Sequence, residues 1–325
     1  MKRLLTIITL LACGACAPLR PTTVPTSAAA ATVSSEPLRV LVWNIERGAN
    51  PYTNGPEKAL KVIRDSGTHL VLMQESYDIA DDRPLLGPWL ATQLGWHSHQ
   101  GNSPHLCILS RFSIAETFNH EPWHGIGARI QAPGGDILAW SCWIDYLAYL
   151  PDHLTENPAA TLAELLALEN QESDRVRQTT ALLTRLKRLG QLDSPLPLLV
   201  GGDWNSPSHL DYGPDTKHLH CGHVIPMPCS LAFAAAGFTD TFRTVHPSAL
   251  KQPGITWTPI GRTRGKPRQP VALDRIDRLY LRGPGLRPVA ATTLPAVFER
   301  DSIKRAARTF PSDHCAVLTT FAQRE

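Results

Sequence analysis

The segment that most constrains the fold runs from an apolar stretch at 195–200 into Gly-Gly-Asp-Trp-Asn at 201–205. The apolar stretch is typical of a buried strand bounded by turn residues, and Asp203 and Asn205 stand at its mouth. A carboxylate and a carboxamide there can share one polar pocket, in which one moves a proton and the other holds a phosphate oxygen or a water. Because Gly, Asp and Asn also form ordinary turns, the segment alone favours a turn slightly, and its interest depends on similar segments elsewhere.

Short apolar strands recur along the chain, with a few helices irregularly interspersed. Strands are predicted over 38–43, 69–73, 105–110, 128–131, 137–144, 196–200, 255–258, 276–281 and 316–321. Helices are predicted over 56–66, 89–94, 161–189 and 230–236. The helix over 161–189 is the strongest of these, because its leucines recur at helical spacing. This mixture indicates an α+β fold of packed layers rather than a strictly alternating parallel sheet.

The first residues of the chain have the composition of an export signal. Residues 1–16 combine the basic pair Lys2-Arg3 with an apolar run that is too short to span a bilayer, followed by small residues. The stretch Leu10-Leu-Ala-Cys13 resembles a bacterial lipobox. It predicts an exported lipoprotein with Cys13 lipidated, and therefore anchored to a membrane rather than threaded through it.

Alternatives to lipidation at Cys13 stay open, namely lipidation at Cys16 or a plain secretory signal that releases the protein to the periplasm or the medium. Residues 17–37 are rich in Pro, Thr, Ser and Ala without an apolar period, which is typical of a flexible linker. No second linker or internal repeat follows. Residues 38–325 are therefore expected to form one large domain.

The charge of the chain argues weakly against one class of function. The formal net charge is +3, and loss of Lys2 and Arg3 with the signal would leave +1. A dedicated duplex-binding protein usually carries a basic field. The near-neutral mature chain is therefore not typical of one.

Five of the seven cysteines lie outside the predicted signal. Export permits disulfides, and Cys221 and Cys229 flank a loop that contains proline, so this pair is predicted to form a bridge. Cys107 and Cys142 fall in predicted strands, where buried free thiols are the ordinary expectation. Outside the predicted signal, no CxxC spacing of the zinc-binding type is present.

Polar side chains stand at the ends of several predicted strands. They are Asn44 and Glu46, Glu75, Asp203 and Asn205, Asp274 and Asp277, and Asp313 and His314. One acid at a strand end is common, but four or more such junctions can converge on one rim if the strands belong to one packed sandwich. A rim of carboxylates and carboxamides without cysteine suits Mg²⁺ or Mn²⁺. A histidine beside an acid adds a group that titrates near neutral pH.

In these segments the sequence resembles the endonuclease/exonuclease/phosphatase superfamily, with its DNase I-like fold, and in particular an exported bacterial branch of it. The matching segments are Trp43-Asn44-Ile45-Glu46, Gln74-Glu75, Gly202-Asp203-Trp204-Asn205, Arg275-Ile276-Asp277 and Ser312-Asp313-His314. Each is short, but together their order and spacing cover essentially all of the chain after the linker. The resemblance implies a four-layer α/β/β/α sandwich of two packed mixed β-sheets with helices outside.

The resemblance also implies which residues bind the metal. Glu75 is expected to be the principal ligand of Mg²⁺ or Mn²⁺, helped by Asn44, and Asp313 is expected to face the metal. Glu46 is a further candidate ligand, although the superfamily usually has aspartate at this position.

Four further residues are expected to carry the chemistry by the same resemblance. Asp203 is expected to move a proton, either to activate water or to protonate the leaving oxygen, and Asn205 to orient the phosphate. His314 is expected to contact a phosphate oxygen or to assist the attacking water, with Asp277 holding its ring. Such a set neutralises charge on the phosphoryl oxygens and positions an in-line water.

The sequence departs from the superfamily at Trp143, in Cys-Trp-Ile-Asp-Tyr at 142–146, where relatives often have His-Leu-Asp-Tyr. Indole donates one hydrogen bond but cannot carry the charge of an imidazolium. A contact to phosphate is therefore either lost or supplied by Tyr146 or His153. This departure keeps a catalytically weak or inactive binding module among the alternatives.

Three segments give weaker signals about substrate binding. His209 and Asp211 can either shape the substrate end of the site or form a hydrogen-bonded loop. Arg175 can face the site, as relatives suggest, although a solvated helix face is the more ordinary interpretation. The basic segment 262–268 can receive an anion or a lipid headgroup, or lie in solvent.

Taken together, the sequence predicts an exported Mg²⁺-dependent phosphoesterase that hydrolyses a phosphodiester or phosphomonoester. Near-neutral charge and export favour a small or lipid phosphoester slightly over a long nucleic acid. An extracellular nuclease is the first alternative. No protein partner is inferred, and the only membrane contact expected is the lipid anchor.

Overall fold

Two six-stranded β-sheets form the centre of the part of the chain that the computed structural model describes, which is residues 36–77, 85–257, 273–295 and 310–323. The strands are β1 Leu38–Asn44, β2 Leu70–Gln74, β3 His97–His99, β4 Leu106–Ser110, β5 Ile114–Asn119, β6 Gly125–Ala132, β7 Gly135–Trp143, β8 Leu198–Asp203, β9 Thr239–Asp240, β10 Asp277–Arg282, β11 Leu286–Leu294 and β12 Ala316–Gln323. The helices are α1 Gly55–Ser66, α2 Leu86–Leu94, α3 Leu150–Glu156, α4 Leu162–Asn170, α5 Arg175–Arg188, α6 Pro228–Ala235 and α7 Thr241–Val245.

Both sheets are mixed. The first has the strand order β11-β12-β1-β2-β4-β3, and the second has the order β5-β6-β7-β8-β10-β9. In the first sheet β1 and β2 are parallel, and in the second β7 and β8 are parallel. The other pairs are antiparallel.

Side-chain alternation along the strands explains why the two sheets pack face to face. In β1, Val40 and Val42 point into the core between the sheets, whereas Leu41 and Trp43 belong to a separate core under α1 and α2. In β8, Leu199 faces the central core, and its neighbours Leu198 and Val200 pack with α5 and α6. Because successive side chains of a strand point to opposite faces, these continuous apolar strands are buried on both sides. The predicted four-layer α/β/β/α sandwich is thereby confirmed.

The helix predicted over 161–189 is two helices. Thr161 caps the first, since its hydroxyl accepts from the Glu164 backbone N–H while the Glu164 carboxylate accepts from the Thr161 N–H. That helix ends at Asn170, and the second begins at Arg175. The polar residues between them, Gln-Glu-Ser-Asp at 171–174, interrupt the apolar spacing.

The strand predicted over 255–258 is wrong for its described part, where Trp257 makes only an isolated bridge to Asp274. Residue 258 lies outside the described residues. Strands β3, β5, β9 and β11 and helices α3 and α7 were not predicted. The four strands lack the continuous apolar run by which the other strands were predicted, because β3 and β9 are very short and β5 and β11 expose many of their residues.

The predicted Cys221–Cys229 bridge is absent, and both cysteines are free thiols. Cys229 lies in α6 with its side chain buried, whereas Cys221 is exposed in a turn with a left-handed backbone. Proximity in sequence therefore does not bring the two sulfurs together. Cys107 and Cys142 are buried free thiols, as predicted.

The described residues between 36 and 323 form one unit by their contacts. Within the described ranges, no helix is both long and apolar enough to cross a membrane.

Candidate active site

Most of the polar residues predicted at strand ends meet at one rim of the sandwich because of the strand register, whereas the Asp274 carboxylate accepts from the hydroxyls of Tyr149 and Tyr212 instead. In the first sheet Asn44 pairs with Gln74, so Glu75 follows directly beside it. In the second sheet Asp203 pairs with Asp277 on one side and with Trp143 on the other. The first sheet thus supplies an amide and a carboxylate, and the second supplies two carboxylates.

The two glycines before Asp203 allow the strands to approach closely. A Cβ atom on Gly201 would lie 2.6 Å from a methyl group of Val42 in the facing sheet. A Cβ atom on Gly202 would lie 2.0 Å from the carbonyl oxygen of Cys142 in the neighbouring strand. No side chain fits at either position, so these glycines keep β8 where Asp203 can reach β1.

The Asn44 amide joins the two sheets at the rim. Its Nδ2 donates to Glu75 Oε1 at 3.1 Å and to Asp203 Oδ2 at 2.9 Å. Its Oδ1 accepts from the backbone N–H of Glu46 at 3.0 Å. In this arrangement Asn44 holds two carboxylates near one point, and it would have to turn its amide over to offer its oxygen to a metal.

Glu46 and Glu75 differ in what they can bind. Glu75 is partly exposed, and its Oε2 accepts from the Arg47 backbone N–H at 3.1 Å. Glu46 is buried, and its carboxylate accepts from the Tyr52 hydroxyl. Glu75 therefore has the more accessible carboxylate, whereas Glu46 already binds a phenol within the loop that follows β1.

His314 and Asp277 form a buried pair. His314 Nδ1 lies 2.9 Å from Asp277 Oδ2, and its Nε2 lies 3.9 Å from Asp203 Oδ2. The neighbouring Ser312 hydroxyl donates to the Asn44 carbonyl at 2.6 Å, which ties this loop to the end of β1. Asp313, in the same loop, is 8% exposed.

The close approach of these acids to the imidazole changes their pKa values. Burial alone lowers the pKa of His314, but the nearby carboxylates of Asp277 and Asp203 outweigh it and raise the pKa well above its usual value. For Asp203, burial raises the pKa to about 7, helped by Asp277 and opposed by His314. The neighbouring carboxylates therefore favour the protonated form of His314, and burial brings the pKa of Asp203 into the range in which a carboxyl group can accept or release a proton near neutral pH.

Asn205 supports Asp203 in this structure. Its backbone N–H donates to Asp203 Oδ1 at 3.0 Å, and its side-chain Nδ2 lies 2.8 Å from the Ile144 carbonyl and 3.3 Å from Asp203 Oδ2. Its backbone is left-handed, with φ of 42°. Asn205 thus stands at the rim, where it orients Asp203, and its expected role of orienting the phosphate stays a prediction.

Two groups of residues at the rim could hold a divalent metal. Ligand atoms of Asp203, Asp277 and His314 lie within 4.8 Å of one another. His314 Nδ1 already lies within hydrogen-bond distance of Asp277 Oδ2, at 2.9 Å, which leaves only its Nε2 for a metal. The oxygen donors around Glu75 fit a hard cation better, so the structure favours Glu75 over His314 as the metal ligand.

Trp143 and Tyr146 lie at the same rim. Trp143 packs edge-to-face on His105, with ring centroids 4.8 Å apart, and its backbone carbonyl lies 3.1 Å from His124 Nδ1. Tyr146 is 53% exposed, and its ring lies 5.9 Å from that of Trp143. His105 and His124 were not singled out from the sequence, since neither belongs to a segment that resembles the family.

Arg175 is neither a solvated helix residue nor available to a substrate. Its side chain is fully buried and forms an ion pair with Glu169 at 3.0 Å. Its remaining donors bind the backbone carbonyls of Asp145, Leu147 and Ala148. Arg175 therefore fixes the loop that follows β7, because every direction of its guanidinium is already used.

His209 belongs to a hydrogen-bonded loop rather than to the catalytic rim. Its Nδ1 lies 2.8 Å from the Ser230 hydroxyl at the start of α6. In the same loop Asp211 pairs with Arg243 at 2.6 Å and with Arg275 at 2.8 Å. The basic segment 262–268 lies outside the described residues.

Thr256 is a supporting residue that the sequence did not reveal. Its hydroxyl accepts from the backbone N–H groups of Ile276 at 3.1 Å and Asp277 at 3.0 Å. It thereby fixes the start of β10, where Asp277 meets His314. A threonine in a short apolar segment carries no distinctive sequence signal for this role.

Comparison with known proteins decides the family. The sequence matches the Endonuclease/Exonuclease/phosphatase family over residues 41–314. The chain belongs to this family. Its enzyme class is that of the metal-dependent phosphoester hydrolases.

Individual relatives share the whole domain. F14F9.5, an uncharacterized protein of Caenorhabditis elegans, is 28% identical over 295 residues, which cover 89% of this chain and 92% of that protein. The human Nocturnin catalytic domain with bound sulfate has a TM-score of 0.55 at 18% identity and covers 89% of this chain and 95% of that one. TDP2 of D. rerio with a single-strand DNA product has a TM-score of 0.54 at 15% identity, and the match covers 88% of this chain and 98% of that one. At these identities the two structures show a shared fold, and the nematode relative does not confirm an exported bacterial branch.

Proposed function

We propose that this enzyme hydrolyses a small phosphodiester or phosphomonoester in a Mg²⁺-dependent reaction in which water attacks phosphorus. The observation that carries the proposal is the buried pair of Asp277 and His314, placed beside Asp203 with its pKa of about 7. Such an arrangement has one group that can move a proton at neutral pH and another that can donate to developing negative charge.

Asp203 is suited to proton transfer. Its Oδ1 accepts from the Asn205 backbone N–H and its Oδ2 from Asn44, so the carboxylate is held in one orientation. A carboxyl group with a pKa near 7 can take a proton from the attacking water or give one to the leaving oxygen. The orientation of the bound phosphate decides which of the two occurs.

His314 is suited to stabilising charge on the phosphate. Asp277 accepts from Nδ1 and favours the protonated ring, and Nε2 lies on the side of Asp203, 3.9 Å from its Oδ2. An imidazolium donor held in place before the reaction can stabilise a non-bridging phosphate oxygen without further reorganisation. Asp277 is thus a positioning residue that acts through His314.

Glu75 would hold the divalent metal, with Asn44, Asp313 and Glu46 as the other oxygen donors. When bound, the metal neutralises charge on the phosphate oxygens. Mg²⁺, or Mn²⁺ in its place, suits this donor set because all of its atoms are hard oxygens. The partly exposed carboxylate of Glu75 supports this assignment.

The near-neutral charge of the chain supports a small or lipid phosphoester over a long nucleic acid, whose binding depends strongly on a basic surface. An extracellular nuclease is the second candidate, because D. rerio TDP2, which shares the fold, is described with a single-strand DNA product. Affinity for DNA that falls steeply with salt would favour the nuclease.

We also propose that residues 1–16 direct export and that Cys13 carries a lipid, with residues 17–37 as a linker to the hydrolase domain. The basic and apolar composition of the first residues supports this proposal. In bacterial cells, the wild-type protein should fractionate with membranes, and Cys13→Ala should release it. Recovery of both forms in the cytosol would contradict export.

Hydrolysis of bis-p-nitrophenyl phosphate and p-nitrophenyl phosphate tests the activity. We expect turnover with Mg²⁺ that EDTA abolishes, and a loss of about 10²- to 10³-fold in Glu75→Gln and His314→Gln. Asp274→Asn is a matched control, because this buried acid also has a pKa raised to about 7 by burial but bonds only to tyrosine hydroxyls in its side-chain contacts. Metal binding without turnover of either ester would instead favour a non-catalytic binding module.

A further inference from the structure

Six rings form a continuous patch along one side of the active-site rim, and we call this patch the aromatic wall. Its members are Tyr77, His105, Trp123, His124, Trp143 and Tyr146. Both sheets contribute to it, since Tyr77 and His105 adjoin β2 and β4, whereas the other four adjoin β6 and β7. None of the chemistry proposed above uses these rings together.

His105 lies at the centre of the aromatic wall. Its ring centroid lies 4.4 Å from that of Trp123, 4.8 Å from that of Trp143 and 5.3 Å from that of Tyr77. Trp143 continues the patch to His124, on which it stacks at 6.3 Å with an interplanar angle of 12°. The rings therefore support one another, and the buried ring of His105 is held between three of them.

The aromatic wall adjoins the catalytic residues at two points. Trp143 pairs in register with Asp203 on the neighbouring parallel strand. His105 accepts a backbone hydrogen bond from Ser76, the residue that follows Glu75. A phosphate bound between Glu75 and Asp203 would therefore have this patch beside it.

The aromatic wall exposes ring surface to solvent and carries little charge. Trp123 is 41% exposed and Tyr146 is 53% exposed. Burial, with a smaller effect of His124, lowers the pKa of His105 to about 3, so its ring is neutral at physiological pH.

We propose that the aromatic wall stacks a planar ring of the substrate, so that the enzyme acts on a nucleotide or a simple nucleotide ester whose base lies against Trp123 and Tyr146. This inference rests on the proposed function, since it assumes that the phosphate binds between Glu75 and Asp203. It assigns Trp143 and His105 to supporting the exposed rings from below. The tryptophan at 143 then contributes to substrate binding instead of to charge stabilisation.

A nucleobase suits this surface better than a lipid chain. Every base has a π-face, and its stacking on an aromatic side chain contributes about 1–3 kcal/mol of affinity. A lipid would need an extended aliphatic surface, whereas the exposed rings here are an indole and a phenol with polar edges. Such amphipathic rings match a base, which has both a flat face and hydrogen-bonding edges.

The test compares phosphoesters that differ only in the base. The pairs are AMP with ribose 5-phosphate, and the 5′-methyl phosphodiester of adenosine with that of ribose. We expect kcat/KM with Mg²⁺ to be on the order of tenfold or more higher for the member that carries the base, as one stacked base predicts. In Trp123→Ala and in Tyr146→Ala the ratio should fall towards one, and Trp123→Phe should keep most of it.

Trp96→Ala is the matched control, because Trp96 precedes β3 at the opposite end of the first sheet from the rim, where His97 pairs with Ser110. It should leave the ratio unchanged. Calorimetric binding of AMP and of ribose 5-phosphate in Mg²⁺ gives the same comparison without turnover.

Equal values for the two members of each pair, by rate and by binding, would overturn this inference while leaving the proposed function intact. Faster hydrolysis of a short-chain glycerophospholipid than of AMP would also overturn it. A failure to hydrolyse any ester would count against the proposed function, and the binding comparison would still decide whether the aromatic wall recognises a base.

Discussion

Replacing Asp277 with asparagine separates the charge of His314 from its position. Asparagine has nearly the same shape as aspartate, and its amide oxygen could still accept from Nδ1 of His314. In the wild-type protein the two side chains are 2.9 Å apart and almost entirely buried. The substitution therefore removes one buried negative charge and leaves the packing in place.

We expect the pKa of His314 to fall in Asp277→Asn, because burial would remain while the largest opposing carboxylate is lost. A raised histidine pKa stabilises the fold below the pKa of the unfolded chain, and this contribution is lost as pH rises through the folded pKa. Removing one partner of a buried pair costs about 3–5 kcal/mol. Because the imidazole can release its proton, that figure is an upper bound here.

The effect on catalysis should be larger than the effect on structure. A neutral imidazole at position 314 would still donate to the side chain at position 277 but would lose the charge that faces the phosphate. Loss of one such pre-positioned donor lowers kcat by about 10²- to 10³-fold. We expect a decrease of this size in kcat/KM for bis-p-nitrophenyl phosphate at pH 7 with saturating Mg²⁺.

The measurement combines this assay with an NMR titration of His314 in metal-free protein and with urea unfolding. Asp274→Asn serves as the control, since it removes a buried acid that does not contact His314 in its side-chain hydrogen bonds. If kcat/KM of Asp277→Asn equals that of the wild-type protein, or if the pKa of His314 in the wild-type protein has its ordinary value, this reasoning is refuted.

Three further predictions concern stability. Arg275→Met should lower the free energy of unfolding in urea by about 3–5 kcal/mol, because it leaves the buried carboxylates of Asp211 and Asp240 without the guanidinium that lies 2.8 Å from each; a change as small as that of the exposed control Arg177→Met would contradict this. Gly202→Ala should destabilise the fold and abolish hydrolysis, since its Cβ would overlap a backbone carbonyl; a soluble, fully active variant would count against it. Burial raises the pKa of Asp274 to about 7, so Asp274 keeps its proton in the folded state at pH values where it would lose it in the unfolded chain. The free energy of unfolding should therefore fall as the pH rises from about 4 to about 7. The same slope of unfolding free energy against pH in Asp274→Asn would rule this out.

From local signals the sequence predicted packed α+β layers with polar residues at the strand ends, and the resemblance to the family implied the four-layer sandwich. Continuous apolar runs such as Leu198–Val200 identify buried strands, and the polar residues directly after them identify strand ends. The register between strands then brings Asn44, Glu75 and Asp203 together. Strand-end positions indicated the rim, and the resemblance to the family selected the residues expected in it.

Contacts between distant segments could not be predicted in the same way. Arg175 looks like an exposed helix residue until Glu169 and three loop carbonyls are placed around it. The aromatic wall joins His105 to Trp123 and Trp143 from the other sheet, and no spacing along the chain encodes that meeting. Cys221 and Cys229 are neighbours in sequence, yet the helix that begins at 228 turns one of them inward.

The position of the metal tests the central claim most directly. We expect crystals soaked in Mn²⁺ to show anomalous density bound by Glu75, with Nε2 of His314 outside its coordination shell, because the donors around Glu75 are oxygens, which a hard cation prefers. Density bound by His314 together with Asp203 and Asp277, or no bound Mn²⁺ at this rim, would contradict the proposed catalytic centre.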